Sequence, residues 1–136
     1  MAFLDEIADL IASSSASSTS WPVFRGHLPD STVLDDRMVG LLHTQGRTEA
    51  RVELQTDELT VLVRGRPVNQ TSTAYEEAEA HSVALKNVVG GYAGKSSDTN
   101  DVHYSGIWCE SAPYFDGFDE SWRPVMRVRF RCQRAR

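Results

Sequence analysis

The spacing of hydrophobic and polar positions changes several times along the chain, and each change marks an element. Near the C-terminal end Met126, Val128, Phe130 and Cys132 alternate strictly with Arg127, Arg129 and Arg131. Successive side chains of a strand point to opposite faces, so this segment predicts a strand with an apolar face for the core and a row of guanidinium groups on the other. At the N-terminal end the spacing is helical. Phe3, Leu4, Ile7, Leu10 and Ile11 share one side, while Asp5, Glu6 and Asp9 fill other positions, with acids near the positive end of the helix dipole. The run of small and hydroxyl residues 13–20 stops this helix, because such side chains compete for backbone hydrogen bonds. It reads as a linker inside the domain.

Trp21 to Gly26 predicts a first strand, broken by Leu28-Pro29-Asp30-Ser31, and Arg37 to Thr44 a second, closed by Gln45-Gly46-Arg47. Arg51 to Leu54 reads either as a short strand or as extended loop. Leu59 to Gly65 is apolar on both faces and rich in β-branched residues, which places it centrally in a sheet. The next helix starts at Thr73, which has capping-box spacing to Glu76. Its packed face is Tyr75, Ala78, Ser82, Leu85 and Val89; Glu76, Glu77, Glu79, His81 and Lys86 form a solvated face. Gly90-Gly91 supplies a left-handed stop. A polar loop, Lys95 to Asp101, precedes a strand from Val102 to Cys109, and an aromatic and acidic loop, Tyr114 to Glu120, leads into the last strand. No internal repeat is present. A helix, several strands, a longer helix and two more strands predict an α+β fold: a single mixed or antiparallel β-sheet with two helices packed on one face.

Composition narrows the function. The 136 residues suffice for one domain spanning residues 1–136, with a core that requires neither disulfides nor metal. A net charge of −5 argues against a protein built to grip DNA or RNA, so the arginines are a local feature. Cys109 and Cys132 fall on two predicted strands; a bridge between them is conceivable, and two small buried thiols is the plainer reading. The acidic N-terminus and the lack of a long apolar run point to a soluble chain made in the cytoplasm.

Catalysis is not expected. His27, His43, His81 and His103 are scattered, without the spacing of a metal-binding motif, and no metal or other cofactor is implied. Asp116, Asp119 and Glu120 lack the ligand series of a calcium loop; a turn with Asp119 or Glu120 near Arg123 or the arginine row explains them better. The glycines after the long helix follow it instead of opening one, which removes a phosphate cradle. An active site would need His103, Asp119 and Cys109 brought together by folding. Trp21 and Trp108 read as core or sheet-face residues, and Trp122 either as core packing or as an interface anchor.

Several signatures then occur in a telling order: the acidic N-terminal helix, Val23-Phe24-Arg25-Gly26-His27-Leu28-Pro29, the strand ending Val61-Leu62-Val63-Arg64-Gly65, the helix opening Tyr75-Glu76-Glu77-Ala78, and Gly117-Phe118-Asp119-Glu120-Ser121-Trp122-Arg123-Pro124 before a strand. Together they resemble the tail terminator family of tailed bacteriophages, often labelled minor capsid proteins. The resemblance implies a virion structural protein that forms a homohexameric ring on the head-proximal end of the tail tube. The ring stops tube polymerisation and offers the surface for the head connector, while genomic DNA passes through its lumen without specific binding. Candidate contacts between subunits are Arg127, Arg129 and Arg131 against Glu76, Glu77 and Glu79 of a neighbour, with Trp122, Asp119 and Glu120 beside them; pairing within the subunit is the alternative. Other roles are a different head-to-tail connector, such as a head-closure or neck protein, and an RNA-binding α+β module using the arginine strand with Trp108 or Tyr104 as stacking platforms.

Overall fold

A computed structural model describes residues 2–14, 20–26, 36–44, 54–90 and 104–135. The elements are α1 (Ala2–Ala12), β1 (Val23–Arg25), β2 (Met38–Thr44), β3 (Leu54–Arg64), α2 (Ala74–Val89), β4 (Tyr104–Phe118) and β5 (Pro124–Ala135). The strands form one sheet in the order β1-β2-β3-β5-β4. β1 runs parallel to β2, and the other neighbours are antiparallel, so the sheet is mixed. β3 is central, as its apolar composition predicts.

Strand alternation sets the two faces. Val39 and Leu41 of β2, Leu59, Val61 and Val63 of β3, and Met126, Val128, Phe130 and Cys132 of β5 are all buried on the inner face. Leu4, Ile7 and Ile11 of α1 and Ala78, Leu85 and Val89 of α2 join them in one core. α1 lies against β1 and β2, α2 lies across β3, β5 and β4, and the helices touch each other on that same face. Each fully buried aliphatic or aromatic side chain contributes about 1.5–3 kcal/mol, which is why the strict alternation in β5 fixes its orientation.

Three local expectations are corrected. Thr73 sits at φ −99°, ψ 10° and makes no side-chain cap, so the Thr73–Glu76 capping box does not form. That backbone does not aim the hydroxyl at the helix amides; it donates instead to Glu77 Oε2 at 3.3 Å. Gly90 ends α2 in the right-handed region, at φ −68°, with its N–H on Lys86 O, so the left-handed stop is absent at Gly90, and Gly91 lies outside the described residues. Most of the expected Tyr114–Glu120 loop is strand, because β4 continues to Phe118 through repeated register shifts against β5. Aromatic residues favour strands, and bulges let them keep pairing where strict alternation fails.

β2 matches the predicted Arg37–Thr44 to within one residue, β1 is shorter than the predicted Trp21–Gly26 and starts only at Val23, and β3 extends back to Leu54 and settles that residue as strand. The expected polar loop at Lys95–Asp101 and most of the serine-rich linker lie outside the described residues. Of the linker, Ser13 and Ser14 turn their hydroxyls back onto carbonyls of the last turn of α1, the competition expected of them.

Candidate interaction surfaces

The arginine row lies on the outer face of the sheet, opposite the helices, and neighbouring strands supply its acids. Arg127 donates to Asp116 Oδ2 of β4 at 3.0 and 3.2 Å, Arg129 to Glu58 Oε1 of β3 at 2.8 and 3.1 Å, and Arg131 to Glu110 Oε1 of β4 at 2.9 Å. The acids therefore alternate from one side of β5 to the other. Glu58 holds the Arg129 guanidinium more firmly protonated than usual, first through its hydrogen bond and then through its charge. Solvent screens such exposed pairs, so they add little to stability and their main effect is to hold the guanidinium planes in place. The acids expected to meet this row from a neighbour lie on α2, across the sheet from it. Glu77 is already engaged there by Arg66, whose Nε donates to Oε1 at 3.0 Å. Glu76 and Glu79 have no cationic partner among the described residues.

The β4–β5 turn is a compact polar knot. The Asp119 carboxylate accepts from the Ser121 and Arg123 amides at 3.0 and 2.9 Å and from Arg123 Nε at 2.7 Å. Partial burial pushes this carboxyl up. The Arg123 amide, the Arg123 guanidinium and the Ser121 amide outweigh that, and hold it below the ordinary aspartate value. Arg123, itself buried, also lies 3.6 Å from Asp36, joining the turn to the start of β2. The expected link between Asp119 and Arg123 is thus present, while Glu120 has no cationic partner among the described residues.

Beside this knot an aromatic strip reaches the surface. Tyr75 at the start of α2 meets Phe115 edge-on at 5.2 Å between centroids, Phe115 meets Phe118 at 5.0 Å, and Phe118 meets Trp122 at 5.9 Å. Trp122 is 63% exposed, which overturns core packing for it. Trp108 is a half-exposed residue of the outer sheet face, whereas Trp21 is buried just ahead of β1.

Two polar contacts on the helix side escape sequence reading. Trp21 stacks on His81 at 4.5 Å with the rings 7° apart, and Arg37 lies over the Trp21 ring at 5.6 Å. His81 is therefore no member of a solvated face. His43 Nε2 lies 3.3 Å from Oδ2 of the buried Asp57, two inward positions on adjacent strands. The signal for Asp57 is its place in the inward alternation with Leu59, Val61 and Val63; the signal for His81 would have required knowing that Trp21 lies over α2.

Of the three residues of a hypothetical active site, the two that are described lie apart. Cys109 sits in the middle of β4, opposite Phe130, with its thiol 3.2 Å from Ser111 O, while Asp119 is in the turn beyond the end of that strand and His103 lies outside the described residues. Cys109 and Cys132 are not joined in a disulfide. Among the described residues no three metal-binding side chains cluster, and no helix is long and apolar enough to cross a membrane.

The architecture is that of a mixed-sheet α+β domain with both helices on one face and ion pairs across the other. Its likeness among solved structures includes a chain from "Virion of native gene transfer agent (GTA) particle", with a TM-score of 0.69 at 11% sequence identity over 96% of this chain and 92% of that one. At that identity the likeness is one of fold. No protein-family model and no curated protein sequence matches the chain.

Proposed function

We propose that this is a structural protein of a phage-like virion, and within it the tail terminator: a hexameric ring at the head-proximal end of the tail tube that stops tube polymerisation and forms the surface for head joining. The observation that carries the reading is the near full-length likeness to a chain of a gene transfer agent virion. The order of the N-terminal helix, the Val61–Gly65 strand end, the Tyr75-Glu76-Glu77-Ala78 helix start and the Gly117–Pro124 turn supports the finer assignment. A ring needs two different complementary patches per subunit. The donors that Arg131 leaves beyond its single bond to Glu110, set against the unpaired Glu79 of the next subunit, supply one such contact. The acidic chain also suits a lumen through which DNA slides without adhering. The RNA-binding alternative is weakened, because acids from β3 and β4 already neutralise the arginine strand.

The test is electron cryo-microscopy of the protein mixed with polymerising tail-tube subunits encoded by the same genome. Rings capping one end of tubes of limited length are expected. Tubes that grow unchanged, with no added density, would overturn the terminator role and direct the search to the head connector as partner.

A further inference from the structure

The aromatic strip is an interaction surface of its own. We propose that Tyr75, Phe115, Phe118 and Trp122 dock a segment of another protein in which an apolar or aromatic side chain lies between lysines or arginines. The four rings form a continuous series of contacts, yet Phe115, Phe118 and Trp122 are 39%, 45% and 63% exposed. Exposed aromatics gathered at one place on a small domain are the usual anchors of a protein contact.

Folding does not account for the indole. Trp122 has φ +59°, a backbone region that suits Gly or Asn and strains a bulky residue. The turn is held by the Asp119 carboxylate and by the backbone bonds between Asp119 and Arg123, to which the indole adds nothing. A tryptophan at this point is a cost to the turn, and inside the subunit its ring meets Phe118 at the edge of the strip, which leaves most of the indole uncovered.

Charge selects the partner. Asp116 and Asp119 near the strip are neutralised by Arg127 and Arg123. Glu76, next to Tyr75, and Glu120, between Phe118 and Trp122, are exposed and have no cationic partner among the described residues. The segments that carry the strip therefore bring two exposed negative charges, uncompensated among the described residues, which attract Lys or Arg and repel a nucleic-acid backbone or an anionic lipid surface. A second copy placed strip to strip would set Glu76 and Glu120 against themselves, while Arg66, Arg123 and Arg127, whose acids lie nearest the strip in sequence, are already in ion pairs. The surface stands on these residues whether or not the chain belongs to a virion, so failure of the tube experiment leaves it intact.

The experiment is selection of a random-peptide display library on the immobilised full chain, with counter-selection on Trp122→Asn, a substitution that fits the positive φ and leaves the turn in place. Enriched peptides are expected to combine Lys or Arg with Trp, Phe or Leu. Their binding, measured by calorimetry, should weaken roughly ten-fold or more in Trp122→Asn, the loss of a central aromatic anchor. In the double variant Glu76→Gln, Glu120→Gln, which changes only exposed positions, binding should weaken several-fold with a flatter salt dependence. Three results would overturn the proposal: no enrichment that either variant reduces, enrichment of acidic or uncharged peptides, or a Trp122-dependent self-association in sedimentation velocity that marks a second copy as the occupant. Trp122-dependent binding to anionic phosphatidylglycerol vesicles, left unchanged in the double variant, would equally replace the peptide with a membrane.

Discussion

His81 shows how one residue takes a character that its neighbours in sequence do not suggest. Its helical position puts it among Glu77, Glu79 and Lys86, but Trp21 folds over it from a distant segment and Arg37 adds a positive charge nearby. Burial first, and then the Arg37 charge, lower its pKa from 6.5 to about 4. The folded protein thus keeps the ring neutral where the unfolded chain protonates it. Between pH 6.5 and about 4 the unfolded state binds more protons, so this contribution is complete above pH 6.5 and is lost as pH falls toward 4. The melting temperature should drop across that window in the wild type. In His81→Phe, which keeps a ring to stack on Trp21, the drop should be smaller; parallel curves of melting temperature against pH for the two proteins would remove His81 as the cause.

At the scale of elements, the junction between β3, α2 and β5 depends on the absence of a single side chain. A Cβ on Gly65 would lie 3.0 Å from Ala74 O, 3.1 Å from Pro124 Cγ and 3.4 Å from Ala78 Cβ. The start of α2 can settle over the end of β3 only because that position is bare, and the Gly65 amide meanwhile donates to Pro124 O. Gly65→Ala should cost about 1–3 kcal/mol, the range of an overpacked contact with little room to relax, read from the midpoint of urea unfolding at unchanged slope. A midpoint equal to that of the wild type would mean that the helix shifts freely. The sequence marks where the strand ends but not what presses on it. The same limit explains the strand residues Tyr114–Phe118 read as loop, where pairing with β5 decides the local conformation; the missed cap at Thr73 is instead a matter of its own backbone angles, which residue identity and spacing do not reveal.

For the whole molecule, the class and the single sheet follow from element order, and the two faces of β5 follow from alternation alone. The partners of the arginines required register, which places Glu58 and Glu110 near Arg129 and Arg131 from opposite sides, and no local pattern carries that information. The aromatic strip lies between these cases. Its residues stand out in the sequence, but only the continuation of β4 to Phe118 and the turn at Trp122 bring them to one surface with Tyr75.

The short parallel edge governs how the molecule comes apart. β1 pairs over three residues with β2 and, among the described residues, with no other strand, and α1 rests on that corner of the sheet and on α2. The long antiparallel ladder of β3 and β5 has no such weak side. Among the described elements, α1 and β1 are therefore expected to be the pair of lowest local stability, opening together while the β3–β5 ladder persists. Native-state hydrogen exchange should show α1 and β1 amides opening together, at a lower free energy than those of Leu59–Val63 and Met126–Phe130. A single common opening energy across all these amides would instead make the domain one indivisible cooperative block.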